Sequence, residues 1–288
     1  MAILLAESGS TKTDWCLIHD SGKTTKYKTT GINPYIQTKE DIFKVLDEEL
    51  KWPSKKATIN SVVFYGAGAG NPLKQKELKG YLKEYFKVRK VEVDGDMMAA
   101  AKGICGDEKG VVCILGTGSN SCYYNGSKIK KQHASLGYIA GDEGSGNHMG
   151  KRILRYYAYN TFDMELKAQF EYMFGDNVPV ILDKLYKELF PNRYLASFVP
   201  FLSQNRGHYM VENIIEDSLN EFFTQHVLKY RESWNMPISF TGSVAYEFRD
   251  LIKKICEQSG LTLGKIEKSP MASLIKYHKN KMLEATKK

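Results

Sequence analysis

The chain lacks the short motifs that mark several common enzyme classes. It has no G-x-S-x-G nucleophile elbow, and its six histidines are scattered without the arrangement of a catalytic triad. Its five cysteines are odd in number and widely spaced, and no C-x-x-C pair indicates a metal site. The sequence therefore gives no support for acyl transfer or for a cysteine-bound metal, and it favours reduced, buried thiols.

Membrane and nucleic-acid signals are also missing. No window approaches the roughly 20 consecutive apolar residues that a membrane-spanning helix needs. The apolar run 3–6 is too short for a signal peptide, and no basic region precedes it. The net charge of +8 comes from lysines spread along the chain, without a basic stripe interleaved with aromatic residues. We therefore expect a cytoplasmic protein with neither a membrane nor a nucleic-acid partner, and its basicity suits a polyanionic small substrate.

The sequence does contain enough apolar residues for two domains. With 288 residues, 42% of them hydrophobic, the chain can bury two cores of ordinary size. The predicted elements follow the order βββαβαβα from the N-terminus, and a similar series begins again at Gly110. We predict an α/β protein with a first domain over residues 1–107, completed by a C-terminal helix over 271–288. Residues 108–270 are predicted to form the second domain, which carries a helical insertion.

Two turns rich in glycine and hydroxyl residues join short predicted strands, one turn in each half of the chain. The first covers Glu7–Thr13, and the second covers Gly116–Ser119. Backbone N–H groups and hydroxyls in such turns can surround phosphate oxygens, and Lys12 adds positive charge. Neither turn fits the Walker pattern GxxxxGK[ST] or a GxGxxG that opens a helix. A single turn of this kind is most simply an ordinary tight turn, but two matched turns favour a polyphosphate ligand.

An aspartate lies where a predicted strand gives way to a helix. The strand, over residues 88–93, ends at Asp94-Gly-Asp96, and an alanine-rich helix is predicted over 97–105. Small α/β domains bind ligands at the carboxyl ends of their strands, so Asp96 is a candidate catalytic base. From the residues alone, the simpler interpretation is a helix N-cap, because aspartate is favoured there.

Four segments together resemble a known family. They are Glu-Ser-Gly-Ser-Thr-Lys-Thr-Asp at 7–14, Asp96 before its helix, Leu-Gly-Thr-Gly-Ser-Asn at 115–120, and Gly-Tyr-Ile-Ala-Gly-Asp-Glu-Gly-Ser-Gly at 137–146. Their order and spacing resemble the N-acetylglucosamine kinase branch of the BadF/BadG/BcrA/BcrD ATPase family, within the actin-like, sugar-kinase and heat-shock-protein-70 ATPase superfamily. The resemblance implies two ribonuclease-H-like domains with an interdomain cleft.

The resemblance also implies site residues. Asp96 matches the catalytic aspartate, and Glu7 stands where most members of the superfamily carry an aspartate that orients magnesium-bound waters. The ATP phosphates are expected to contact residues of both turns: Ser10, Thr11, Lys12, Thr13, Gly116, Thr117, Gly118 and Ser119. Adenosine is expected at Gly242, Ser243 and Val244, and the sugar at Asn33, Gly68, Asn120 and Asp142, with Glu143 ranked below Asp142.

The resemblance implies an ATP- and Mg²⁺-dependent kinase that phosphorylates an amino sugar. N-acetylglucosamine, phosphorylated at its 6-hydroxyl, is the favoured substrate, and glucosamine and N-acetylmuramic acid remain alternatives. A second alternative is an ATPase that activates a redox enzyme, which would need cysteine thiolates to hold an iron–sulfur cluster. We also leave open whether the protein is a homodimer.

Overall fold

The computed structural model describes residues 2–9, 11–51 and 59–286. The chain forms two compact units. The first comprises Met1–Glu108, Gly126–Ile129 and Pro270–Lys288, and the second comprises Lys109–Asn125 and Lys130–Ser269. Each unit contains one mixed five-stranded sheet, so the predicted α/β class is confirmed.

The secondary-structure elements alternate between strands and helices in the first unit and become mainly helical in the second. The strands are β1 (Ala2–Ser8), β2 (Lys12–Ile18), β3 (Thr24–Thr30), β4 (Ile59–Gly66), β5 (Lys90–Gly95), β6 (Lys109–Leu115), β7 (Ser119–Asn125), β8 (Ile129–Gln132), β9 (Ile238–Thr241) and β10 (Leu263–Glu267). The helices are α1 (Lys39–Glu49), α2 (Pro72–Phe86), α3 (Asp96–Cys105), α4 (Gly137–Ala140), α5 (Gly146–Ala158), α6 (Met164–Phe174), α7 (Val178–Lys187), α8 (Pro191–Ala196), α9 (Val199–Gln204), α10 (Tyr209–Gln225), α11 (Ser243–Glu247), α12 (Arg249–Gln258) and α13 (Met271–Thr286). No helix in this described part of the chain is long and apolar enough to cross a membrane.

The two sheets have the same strand order. In the first unit it is β3-β2-β1-β4-β5, and in the second it is β8-β7-β6-β9-β10. The central strands β1 and β6 each pair antiparallel with the following strand and parallel with a strand that comes later in the sequence. The restart at Gly110 therefore corresponds to a repeated sheet topology.

Both faces of the first sheet are covered by helices. On one face, Leu4 and Phe64 pack with Ile42 of α1 and Leu78 of α2. On the other face, apolar residues of the sheet pack with Ala99 of α3 and with α13. The central strand β1 is therefore apolar on both sides until its last residues, as expected for a strand inside a doubly covered sheet.

The bounds of β5 and α3 differ slightly from the prediction: β5 starts and ends two residues later, and α3 starts one residue earlier. Before β5, the residue after α2, Lys87, adopts a left-handed conformation with φ +53° that ends the helix. The pairing of β5 with β4 continues to the Gly66–Gly95 register pair. Asp96 is consequently the first residue of α3, and Gly95 is the N-cap.

The second unit is built around an aromatic core supplied mainly by its helices. Tyr157 of α5 stacks on Phe170 of α6 with ring centroids 4.0 Å apart, and Phe170 also stacks on Phe198 at 5.8 Å. Helices α5 and α8 approach so closely that a Cβ on Gly150 would clash with the backbone carbonyl of Leu195. Close packing at this point requires glycine.

We predict that Gly150→Ala lowers the free energy of unfolding by about 1 to 3 kcal/mol, because the backbone of α8 must move to admit the methyl group. The matched control is Gly80→Ala in α2, where an added Cβ meets nothing within 4 Å. Because glycine loses more backbone entropy on folding than alanine does, Gly80→Ala should be more stable than the wild type by about 0.5 to 1 kcal/mol. Urea unfolding followed by circular dichroism measures both changes, and a neutral Gly150→Ala would contradict the packing described.

Candidate active site

Three carboxylates lie near one another at one edge of the first sheet. Glu7, near the end of β1, is the register partner of Asp14 on β2. Burial and, to a smaller extent, the negative charges of Asp14 and Asp96 raise the pKa of Glu7 to about 7, whereas the charge of Lys12 opposes the shift. Glu7 is thus surrounded by like charge in a partly desolvated position, which a bound cation would relieve.

Asp96 does not act as the N-cap of α3. Its Oδ1 accepts a hydrogen bond of 2.8 Å from the backbone N–H of Met97, and the N-cap position is held by Gly95. Burial raises the pKa of the Asp96 carboxyl group, and backbone hydrogen bonds from Met97 and Asp96 itself oppose that shift. A carboxylate with a raised pKa, at the carboxyl end of a parallel strand, has the character of a general base.

The first hairpin presents two of its predicted phosphate-binding residues to solvent. Thr11 and Lys12 are exposed, and Lys12 Nζ lies 2.6 Å from Asp14 Oδ2. Thr13 is fully buried, where its hydroxyl bonds with Ser8 Oγ at 2.8 Å and donates to the carbonyl of Thr30 at 3.2 Å. A phosphate contact from that hydroxyl would have to compete with both bonds. Ser10 lies outside the described residues.

Two of the predicted sugar-binding residues, Asn33 and Gly68, are brought together in the first unit. Ser8 Oγ accepts a hydrogen bond from the backbone N–H of Ile32 at 2.9 Å and so fixes the loop that carries Asn33. Asn33 Oδ1 accepts from the N–H of Tyr35 at 2.9 Å. Gly68 has φ +79°, and a Cβ there would clash with Asn33 Oδ1, so this close approach requires glycine.

In the second unit, Asp142 is hydrogen bonded to the hairpin between β6 and β7. Its carboxylate accepts from the N–H of Ser119 at 3.3 Å and from Asn147 Nδ2 at 2.7 Å. Asn147 Nδ2 also donates to the carbonyl of Thr117 at 2.6 Å. An ideal Cβ on Gly118 would lie only 3.0 Å from Asp142 Oδ2, so the turn and this carboxylate are closely packed. The structure thus brings together three of the predicted hairpin residues with Asp142.

Asn120 and the predicted adenosine segment lie next to the same hairpin. Asn120 Oδ1 accepts hydrogen bonds from the N–H of Ser121 at 2.9 Å and from Gln132 Nε2 at 3.2 Å. Gly242 has φ +122°, and a Cβ there would clash with the carbonyl of Leu115, the last residue of β6. Ser243 and Val244 follow as the first residues of α11, with Val244 buried.

The sequence did not single out two residues that hold the predicted site residues in place. Asn147 bonds to Asp142 and to the hairpin, and His226 Nε2 lies 3.0 Å from Glu143 Oε2. The only available signal for Asn147 was its position shortly after the Gly-Asp-Glu-Gly-Ser segment. His226 is 83 residues from Glu143, and nothing in the spacing indicated that contact.

Comparison with known proteins identifies the family. The profile of the BadF/BadG/BcrA/BcrD ATPase family matches residues 7–275. The chain belongs to this ATPase family. The comparison with curated proteins gave no match.

Solved structures extend the similarity of this ATPase family member over nearly its whole length. A candidate N-acetylglucosamine kinase from Porphyromonas gingivalis is 40% identical with a TM-score of 0.91, and the match covers 96% of this chain and 99% of that one. A second candidate N-acetylglucosamine kinase, from Chromobacterium violaceum, is 15% identical with a TM-score of 0.72, covering 96% and 98%. A ROK family glucokinase from Streptomyces griseus, solved with glucose and AMPPNP, is 13% identical with a TM-score of 0.56, covering 96% and 98%. The last two show a shared fold, and the predicted actin-like ATPase fold class is confirmed.

The crowding of Glu7 predicts how stability depends on pH in the absence of metal and nucleotide. Because the folded pKa is about 7 and the ordinary value is 4.5, the folded state holds this proton more tightly than the unfolded chain. The resulting stabilisation is fully present below pH 4.5 and is lost as the pH rises through 7. Glu7→Gln should therefore gain stability relative to the wild type between pH 4.5 and 8, by on the order of 1 to 3 kcal/mol.

Chemical denaturation in EDTA at several pH values measures this difference. Glu48→Gln, at an exposed position on α1, serves as the control and should follow the wild type at every pH. If the free energy of unfolding of Glu7→Gln had the same pH dependence as that of the wild type, the pKa of Glu7 would not be raised in the folded state.

Proposed function

We propose that this protein is an ATP-dependent kinase that transfers a phosphoryl group to an amino sugar, with N-acetylglucosamine phosphorylated at its 6-hydroxyl as the favoured reaction. Membership of an ATPase family and the 40% identity to a candidate N-acetylglucosamine kinase over 96% of the chain support it. The structural observation that carries it is Asp96, a partly buried carboxylate of raised pKa at the end of β5 and the start of α3.

Asp96 is the proposed general base. As the sugar hydroxyl oxygen forms its bond to the γ-phosphorus of ATP, the Asp96 carboxylate accepts the hydroxyl proton and ADP leaves with the electrons of the broken P–O bond. A raised pKa makes the Asp96 carboxylate a better proton acceptor than an ordinary aspartate.

The proposed phosphate-binding residues are those of the two hairpins. In the first, Lys12 supplies positive charge, Ser10 and Thr11 supply backbone N–H groups, and the Thr13 hydroxyl exchanges one of its internal hydrogen bonds for a phosphate contact. In the second, residues 116–119 form a turn closed by a 3.0 Å hydrogen bond from the N–H of Gly116 to the carbonyl of Gly118. Backbone N–H groups of glycine-rich turns bind phosphate oxygens without a side chain in the way. Gly242, Ser243 and Val244 are the proposed adenosine contacts.

Mg²⁺ is the proposed metal, held through water by Glu7. In the described part of the chain, no group of three or more His, Cys, Asp or Glu side chains could hold a metal ion. Mg²⁺ usually keeps several waters and binds one or two carboxylates together with substrate phosphates, so one crowded carboxylate fits it. When bound, the ion would neutralise charge on the phosphates.

The proposed sugar contacts are Asn33, Gly68, Asn120 and Asp142. The carboxylate of Asp142, fixed by Asn147, is an acceptor for a sugar hydroxyl, and the Asn33 amide offers donor groups. Each sugar hydroxyl must exchange its water for such a partner on binding. We also propose a cytoplasmic location, and we leave open glucosamine and N-acetylmuramic acid as substrates and a homodimer as the assembly.

The activator of a redox enzyme is the less favoured function. A cluster at a subunit surface needs accessible thiolates. Cys16, Cys113, Cys122 and Cys256 are buried, and burial raises the pKa of the Cys113 thiol well above its usual value. These thiols fit the interior of the two units better than the surface of a cluster site.

We predict that Asp96→Asn abolishes turnover and leaves sugar binding largely intact, because the amide cannot accept the hydroxyl proton. The expected loss in kcat is at least about 100-fold. The control is Asp94→Asn, two residues earlier on β5, whose carboxylate lies 3.9 Å from Lys102 Nζ. ADP release measured with a coupled assay, together with calorimetric binding of the sugar, separates the two effects. Near-normal turnover of Asp96→Asn would exclude it as the base.

A panel of sugars tests the substrate class. With ATP and Mg²⁺, N-acetylglucosamine should give the highest kcat/KM among N-acetylglucosamine, glucosamine, N-acetylmuramic acid and glucose. ADP release without any dependence on added sugar would instead indicate an ATPase. Removal of divalent cation with EDTA should stop turnover, and added Mg²⁺ should restore it.

A further inference from the structure

A pocket of about 200 Å³ lies within the second unit beside Asp142. Its wall includes Ser119 at the start of β7, the segment after β8, and His226 at the end of α10. The lining residues that matter for recognition are Ser119, His133, Leu136, Asp142, Glu143 and His226. Polar groups and an apolar side chain therefore meet in one small cavity.

Glu143 is held in this pocket by a chain of hydrogen bonds. His226 Nε2 lies 3.0 Å from Glu143 Oε2, and His226 Nδ1 lies 3.4 Å from Ser121 Oγ. Tyr230 OH donates to the carbonyl of Ser121 at 3.0 Å and is also 3.0 Å from Ser121 Oγ. An ionised carboxylate can only accept, so His226 Nε2 carries a proton and donates it to Glu143. The carboxylate is thereby fixed as an acceptor.

The stacking of His226 strengthens this arrangement. Its ring lies against Phe222 with centroids 4.9 Å apart and an interplanar angle of 23°. His226 and Glu143 are both largely buried, with side chains 11% and 18% exposed. Burial raises the pKa of Glu143, but the hydrogen bond from His226, the Glu143 backbone N–H and the charges of His226 and His148 together lower it below the ordinary value. Glu143 therefore stays ionised.

Two other polar atoms in the pocket wall lack partners within the described residues. They are Ser119 Oγ and His133 Nε2, both buried. His133 is held in place by its backbone N–H bond to Tyr230 OH at 3.3 Å and by ring contact with Tyr230 at 4.4 Å. A buried polar atom without a partner costs free energy, and a ligand that supplies one recovers it.

We propose that Glu143, positioned by His226, is a specificity-determining residue that accepts a hydrogen bond from the amide N–H of an N-acylated amino sugar. This rests on the proposed kinase function. An acylamido group has an N–H donor, a carbonyl acceptor and an apolar methyl. The pocket offers a carboxylate acceptor, a hydroxyl and an imidazole nitrogen without partners, and the apolar side chain of Leu136.

Substitution of the carboxylate distinguishes an amide from a hydroxyl at the same sugar carbon. In Glu143→Gln, His226 would bond to the new amide oxygen and leave an NH₂ donor facing the ligand, where an amide N–H has no acceptor. The hydroxyl of glucose at the same carbon can instead accept a hydrogen bond from that NH₂ group. The kcat/KM for N-acetylglucosamine should fall by about 10- to 100-fold, while that for glucose should change by less than about threefold.

The positioning role of His226 is tested by rescue. His226→Leu should raise KM for N-acetylglucosamine with little change in kcat, and His226→Gln, which keeps an N–H donor, should recover most of the affinity. The matched control is His208→Leu, which removes a histidine–carboxylate contact of 2.8 Å to Asp163 outside the pocket. It should leave KM unchanged.

Calorimetric binding of N-acetylglucosamine without ATP separates the role of Glu143 in sugar recognition from the proposed kinase function. Weaker binding by Glu143→Gln and His226→Leu, with thermal stability close to that of His208→Leu, supports the assignment of Glu143. An equal loss for N-acetylglucosamine and glucose, or no loss for either, would overturn it. Sugar binding by the wild type without sugar-dependent ADP release would refute the kinase function but leave the role of Glu143 standing.

Discussion

The crowding of carboxylates beside Glu7 is the constraint on which the rest of the first unit's proposed chemistry depends. Glu7 and Asp14 are register partners on β1 and β2, and Asp96 begins the helix that follows β5. Helices cover both faces of this sheet, so Glu7 sits where its strand leaves the apolar interior. Burial, together with the like charges of Asp14 and Asp96, raises the pKa of Glu7 to about 7 and favours a bound cation.

In the second unit, hydrogen bonds between distant segments hold the residues that we propose recognise the sugar. Asp142 has φ +61° and is fixed by Asn147, which also holds the carbonyl of Thr117. Glu143, the next residue, is fixed by His226. Adjacent carboxylates are thus oriented by different partners, and their roles can differ: one acceptor for a hydroxyl and one for an amide. Preorganised acceptors of this kind lose little entropy when a sugar binds.

The sequence predicted features that depend on local patterns. Short apolar runs on either side of the Glu7–Thr13 turn predicted the first hairpin, and the strand end before an alanine-rich helix located Asp96. Contacts between distant segments were beyond such patterns: His226 meets Glu143 across 83 residues and Asn147 meets Thr117 across 30. Local patterns also failed at Thr13. The composition of the turn suggested that its hydroxyl contacts phosphate, but the alternation of side chains along β2 points this hydroxyl inward, onto Ser8.

The identity of the phosphorylated product tests the central claim most directly. Phosphorus NMR of the mixture after turnover of ATP with N-acetylglucosamine distinguishes a sugar phosphate from inorganic phosphate. We predict a phosphomonoester resonance, split by the two protons of the sugar's sixth carbon, that grows in step with ADP. Release of inorganic phosphate in step with ADP, with no sugar phosphate, would contradict the assignment of this ATPase family member as an amino-sugar kinase.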